Sequence, residues 1–78
     1  MQHQHVLRHW REHEIENGHH KTILAVETDL VVGKDEPGFD ADKFNSLLEA
    51  ITRPMKSGVV DRVKIIGVGK PKLVGSEV

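Results

Sequence analysis

The stretch Lys21 to Gly33, KTILAVETDLVVG, constrains the fold more than any other part of the chain, because its side chains alternate between two surfaces. Leu24, Val26, Thr28, Leu30 and Val32 fall on one face, and Ile23, Ala25, Glu27, Asp29 and Val31 on the other. A two-residue period rich in β-branched residues marks a half-buried strand. Unbroken, it would run about 40 Å at roughly 3.3 Å per residue, long for a small domain. A bend or bulge is therefore expected near Glu27 to Asp29.

What precedes this strand admits two readings. As a helix, residues up to Glu16 would bring Val6, Leu7 and Trp10 into an apolar patch and stack His5, His9 and His13 at four-residue intervals. As a strand, the segment runs into Asn17-Gly18, the strongest short-range signal for a hairpin turn. Pairing residues around a two-residue turn sets Glu16 opposite His19, Glu14 opposite Lys21 and Arg8 opposite Glu27, three complementary pairs. The same register places His9, Arg11 and His13 with Leu7 and Ile15 on the face of Leu24 and Val26, where buried polar groups need partners or a route outward. The hairpin is the stronger reading.

Beyond the strand, Gly33 to Gly38 (GKDEPG) reads as a turn and loop. Asp40 then suits a helix N-cap, with Asp42 near the positive end of the helix dipole. Phe44, Leu47, Leu48 and Ile51 form a one-sided apolar stripe at helical spacing. Pro54 and Gly58 place the helix end around Arg53 or Lys56. Val59 to Val68 alternates Val63 and Ile65 against Arg62 and Lys64, another strand, and the span from the first long strand through the helix has the length of a βαβ crossover. Leu73 and Val74 could add a short edge strand in an otherwise glycine- and proline-containing tail. The expectation is one α+β domain over residues 1–78 of order β-β-α-β, with a three- to four-stranded sheet, one helix on one face, and flexible ends at 1–4 and 69–78.

Composition limits the chemistry open to such a chain. Seventy-eight residues bury only about 60% of the unfolded surface, and the absence of cysteine rules out disulfides, thiolate metal sites and a cysteine nucleophile. No apolar run reaches a signal-peptide core or the roughly 20 residues of a membrane span, which points to a cytoplasmic protein without membrane contact. The formal charge of −1 is unevenly spread. Residues 21–50 hold three lysines against seven acids, and residues 51–78 hold six basic residues against Asp61 and Glu77.

Three surfaces stand out as candidates for binding. The six histidines all lie within the first twenty residues; in the hairpin, His13 and His20 form the best metal pair, but no signature spacing such as His-Glu-x-x-His is present. Arg53, Lys56, Arg62, Lys64, Lys70 and Lys72 could contact phosphates, although three aromatic residues and no tyrosine leave no base-stacking sheet surface. One helix covers only one face of a small sheet, so Trp10, Ile23, Ala25 and Val31 are expected on an uncovered face suited to association. Edge strands offer backbone pairing as a second route. No nucleophile elbow, full phosphate-binding loop or calcium loop occurs. The sequence thus points to a non-catalytic interaction or regulatory module without a cofactor, joining a second copy of itself or another protein. Nucleic-acid binding through the basic residues and a histidine-based metal site are the alternatives.

Overall fold

The computed structural model describes residues 3–75, without the side chains of Pro54 and Met55. It is an α+β domain of order β1 (Val6–Glu16), β2 (His19–Val31), α1 (Ala41–Lys56), β3 (Arg62–Val68) and β4 (Lys72–Val74). The four strands form one mixed sheet in the order β1-β2-β3-β4.

The hairpin follows from its turn. Asn17 and Gly18 both have positive φ, 51° and 79°, the backbone that a two-residue type I′ turn demands and that asparagine and glycine tolerate. The turn fixes the register: Glu16 faces His19, Glu14 faces Lys21 and Arg8 faces Glu27. Residues 6–16 are thus a strand, with the pairing expected from complementary charges. The register slips by one residue between Val6 and Arg8, which leaves Leu7 as an extra residue at that end of β1.

From β2 the chain crosses through α1 and returns as β3, parallel to β2. Asp40 caps the helix as expected. Its Oδ1 accepts a hydrogen bond from the Lys43 amide at 3.1 Å, and its carbonyl accepts from the Phe44 amide at 3.0 Å. The helix passes Pro54 and ends at Lys56, with Gly58 at φ 79° just beyond. Asp61 then ties the start of β3 to β2 twice, accepting from the Thr22 amide at 2.8 Å and donating its own amide to the Thr22 carbonyl at 2.9 Å. Of the ends expected to be flexible, Lys72–Val74 forms β4 antiparallel to β3, while residues 1, 2 and 76–78 lie outside the described residues.

The core is one cluster that joins β2, α1 and β3. Leu24, Val26 and Val32 meet Phe44, Leu47 and Ile51 of the helix and Val60, Val63 and Ile65, all buried. Of the hydrophobic residues of β1, only Val6 packs against this cluster, and of those of β4 only Val74. No helix among the described residues is long and apolar enough to cross a membrane.

The expected irregularity in β2 occurs where it was placed. Glu27 faces Ile66, but the next pair is Val31 with Val68, so β2 spends four residues where β3 spends two. Thr28 is buried within this bulge, and its hydroxyl accepts the Leu30 amide at 3.2 Å, giving an unladdered backbone group a partner. Gly67 lies against it. A methyl group there would run into the Leu30 carbonyl oxygen and come within 2.8 Å of Val32 Cγ1 and 2.9 Å of Thr28 Cγ2. Gly67→Ala is therefore expected to destabilise the fold by about 1–3 kcal/mol, read as a lowered urea midpoint; an unchanged midpoint would show that the bulge yields without cost.

Candidate functional site

The sheet side away from the helix carries Trp10, Glu12, Glu14 and Glu16 of β1, Ile23, Ala25 and Glu27 of β2, and Arg62, Lys64 and Ile66 of β3. β1 and β3 do not touch each other in the sheet, since β2 lies between them. Their long side chains nevertheless meet above it. Arg62 Nη2 donates to Glu16, 2.8 Å from Oε1 and 2.7 Å from Oε2, and Lys64 Nζ donates to Glu12 Oε1 at 3.3 Å. The other oxygen of Glu12 accepts from Trp10 Nε1 at 2.8 Å. Arg8 lies over the Trp10 ring at 4.9 Å and pairs with Glu27 at 3.3 Å.

This arrangement corrects the expected apolar face. Ile23 and Ala25 sit on the side away from the helix, as the alternation required, but they are only 2% and 0% exposed. Their cross-strand neighbours are Trp10, Glu12, Arg62 and Lys64, whose polar ends are paired above the sheet, and long polar side chains so held shelter apolar surface with their stems. Val31 and Trp10 are half-buried. A partner approaching this face would meet ion pairs and one indole rather than bare aliphatic side chains.

The basic residues do not gather into one patch. Arg62 and Lys64 share the open face, each held by a glutamate. Lys72 reaches the other side of the sheet, with its ammonium 5.1 Å from the centre of the Phe44 ring. Arg53 and Lys56 lie in the last turn of α1, and Lys70 is exposed between β3 and β4. A shallow depression of about 260 Å³ is bordered by Glu14, Ile23, Arg62, Lys64, Pro71 and Leu73. Both of its cations are already engaged with carboxylates.

The histidines divide similarly. The His5 Nδ1–H donates to Asp29 Oδ1 at 2.9 Å, and its Nε2 is buried without a hydrogen-bond partner among the described residues. His20 faces Ile15 across the hairpin and lies diagonal to His13, the relation that the hairpin reading gave them. Among the described residues, no group of three histidine, aspartate or glutamate side chains is placed to hold a metal ion.

The outer edge of β1 is the remaining surface. A two-residue hairpin makes the flanking pair, Glu16 with His19, exchange both ladder hydrogen bonds. Even-numbered residues of β1 therefore bond to β2, and the odd-numbered ones turn their N–H and C=O groups outward. Those residues are His9, Arg11, His13 and Ile15; Leu7, at the bulge, stands outside this alternation. These four lie on the helix side of the sheet, but the core leaves β1 uncovered apart from Val6, so they are exposed, as is Leu7. Leu7 and Ile15 reach 59% and 70% exposure. This resolves the polar groups that the hairpin register placed beside the core, because the helix does not extend over them.

Comparison with protein-family models, with curated proteins and with solved structures finds no match to this chain.

Glu12 is the residue on which the open face converges. The Trp10 hydrogen bond, then that of Lys64, hold its carboxyl below the ordinary value of 4.5, against a smaller opposing effect of desolvation and with help from the Lys64 charge. Because the folded value lies below the unfolded one, the stabilisation is complete above 4.5 and disappears as pH falls through the folded value. Urea unfolding measured across the acid range is expected to show this loss, and Glu12→Gln to flatten that part of the profile. An identical acid profile in the variant would remove Glu12 from this role.

Proposed function

We propose that this chain is a non-catalytic interaction module that associates with a second copy of itself through the outer edge of β1. The observation that carries the reading is an edge strand of eleven residues, paired on one side only, that presents Leu7 and Ile15 to solvent. An edge of this length is a template for another strand. β4, the opposite edge, is three residues long and offers little to pair with.

The strand also complements itself. A two-fold axis through Arg11, perpendicular to the sheet, pairs the regular part of β1, residues 8–14, antiparallel with the same residues of the partner's β1. Arg8 then faces Glu14 of the partner subunit, twice, and Ile15 of the partner subunit comes beside the bulge that carries exposed Leu7. Such pairs contribute roughly 0.2–1 kcal/mol apiece. Arg11 meets its own copy at the axis, an unfavourable contact that a long, exposed side chain relieves by turning into water. Trp10 would stand beside the junction, next to Glu12 of the partner subunit.

Sedimentation velocity at micromolar concentration is expected to give the mass of a dimer. Ile15→Asp should yield a monomer with unchanged far-UV circular dichroism, since Ile15 is exposed in the single chain. A wild-type chain that sediments as a monomer overturns the reading, as does an Ile15→Asp variant that remains dimeric.

A further inference from the structure

His9 and His13 lie on the side of β1 that carries Arg11 and Ile15, and both are exposed. Neither makes a hydrogen bond, an ion pair or a ring contact with any described residue. Four residues along a strand separate them by about 13 Å, too far for one ion to bind both imidazoles. Within a single chain they are two isolated ligands. The two-fold pairing of β1 changes this, because it sets residue 9 opposite residue 13.

We infer that the dimer creates two equivalent sites for a divalent transition-metal ion, each formed by His13 of one subunit and His9 of the partner subunit. This rests on the self-association proposed above. Directly opposed residues of an antiparallel pair have their Cβ atoms about 4.5–5.5 Å apart and project from the same face. Two imidazoles so placed can converge on one ion about 2.0–2.1 Å from each nitrogen. Neutral imidazole suits zinc, nickel and copper, and water completes the coordination because both positions are open to solvent. Neither histidine is engaged elsewhere, so no existing interaction has to break. A single chain holds no three-ligand cluster among its described residues, which makes the second copy a requirement for this site.

The test uses the full chain, stripped with EDTA, and measures dimerisation by sedimentation with and without stoichiometric zinc above neutral pH. Zinc is expected to tighten the dimer by about tenfold through linkage, with one ion bound per chain. His9→Ala and His13→Ala should each lose this response, whereas His19→Ala, on the opposite face across from Glu16, should keep it. A mixture of His9→Ala and His13→Ala chains is the sharper arm. Each mixed dimer has one site that retains both imidazoles and one that lacks both, and random pairing makes about half of the dimers mixed, so mixing should restore about a quarter of the zinc bound, where neither variant alone restores any. No site confined to one chain behaves in this way.

A dimer that ignores zinc overturns the metal site and leaves self-association standing. A response that survives His9→Ala, or that mixing fails to restore, also overturns it. A chain that is monomeric with and without zinc overturns both proposals.

Discussion

Everything in this fold depends on covering both faces of β2. The strand has apolar residues on either side, and a chain of this size supplies one helix. On the first side, Leu24 and Val26 are buried in one cluster with Phe44, Leu47 and Ile51. On the second, Ile23 and Ala25 are buried without a helix, under side chains that lean in from β1 and β3 and pair by charge above them. The ion pairs matter here for where they hold the hydrocarbon stems. Their Coulomb energy at a partly exposed site is small, but they keep Glu12, Glu16, Arg62 and Lys64 folded down over apolar surface.

The same constraint explains the shape of what is left over. The core is centred on β2, α1 and β3, and β1 lies at the sheet margin, tied by its ladder to β2 and by its glutamates to β3. From Arg8 to Glu16 its even-numbered side chains are committed to the open face. Its odd-numbered side chains and their outward backbone groups have no counterpart in the chain. Both proposals above concern this one strand edge, where apolar, basic and imidazole groups alternate with nothing on their outer side.

Much of the fold could be read from local chemistry. Asn17-Gly18 announced the turn, and with it the complete register from Arg8–Glu27 to Glu16–His19, because a two-residue hairpin leaves no freedom in the pairing. Asp40 and the Phe44, Leu47, Ile51 stripe located the helix, since capping and helical spacing are short-range properties. The bulge near Thr28 could be foreseen from strand length alone. The candidate site was less legible. Trp10, Ile23 and Ala25 were assigned to the correct side of the sheet, yet burial of Ile23 and Ala25 depends in part on Arg62 and Lys64, about forty positions away in the sequence. A cue existed in hindsight: Glu12, Glu14 and Glu16 share a face, and so do Arg62 and Lys64. It acquires meaning only once β1 and β3 are known to flank the same strand.

The sequence by itself determined β2, the helix and β3, and, once the Asn17-Gly18 turn is taken, the hairpin register from Arg8 to Glu16, because alternation, turn backbone and helix caps act over a few residues. The length of the crossover made parallel strands the expectation, but only the tertiary structure decided the register in which β3 lies directly beside β2, which brings Arg62 and Lys64 across from Glu16 and Glu12. It also decided that the core stops short of β1. Strand order is set by contacts between distant parts of the chain, and no local pattern encodes which acid a given base will meet. In this protein that long-range choice turned Lys21–Gly33 from a strand with one bare face into a strand buried on both sides, and moved the unpaired surface outward to the edge of β1.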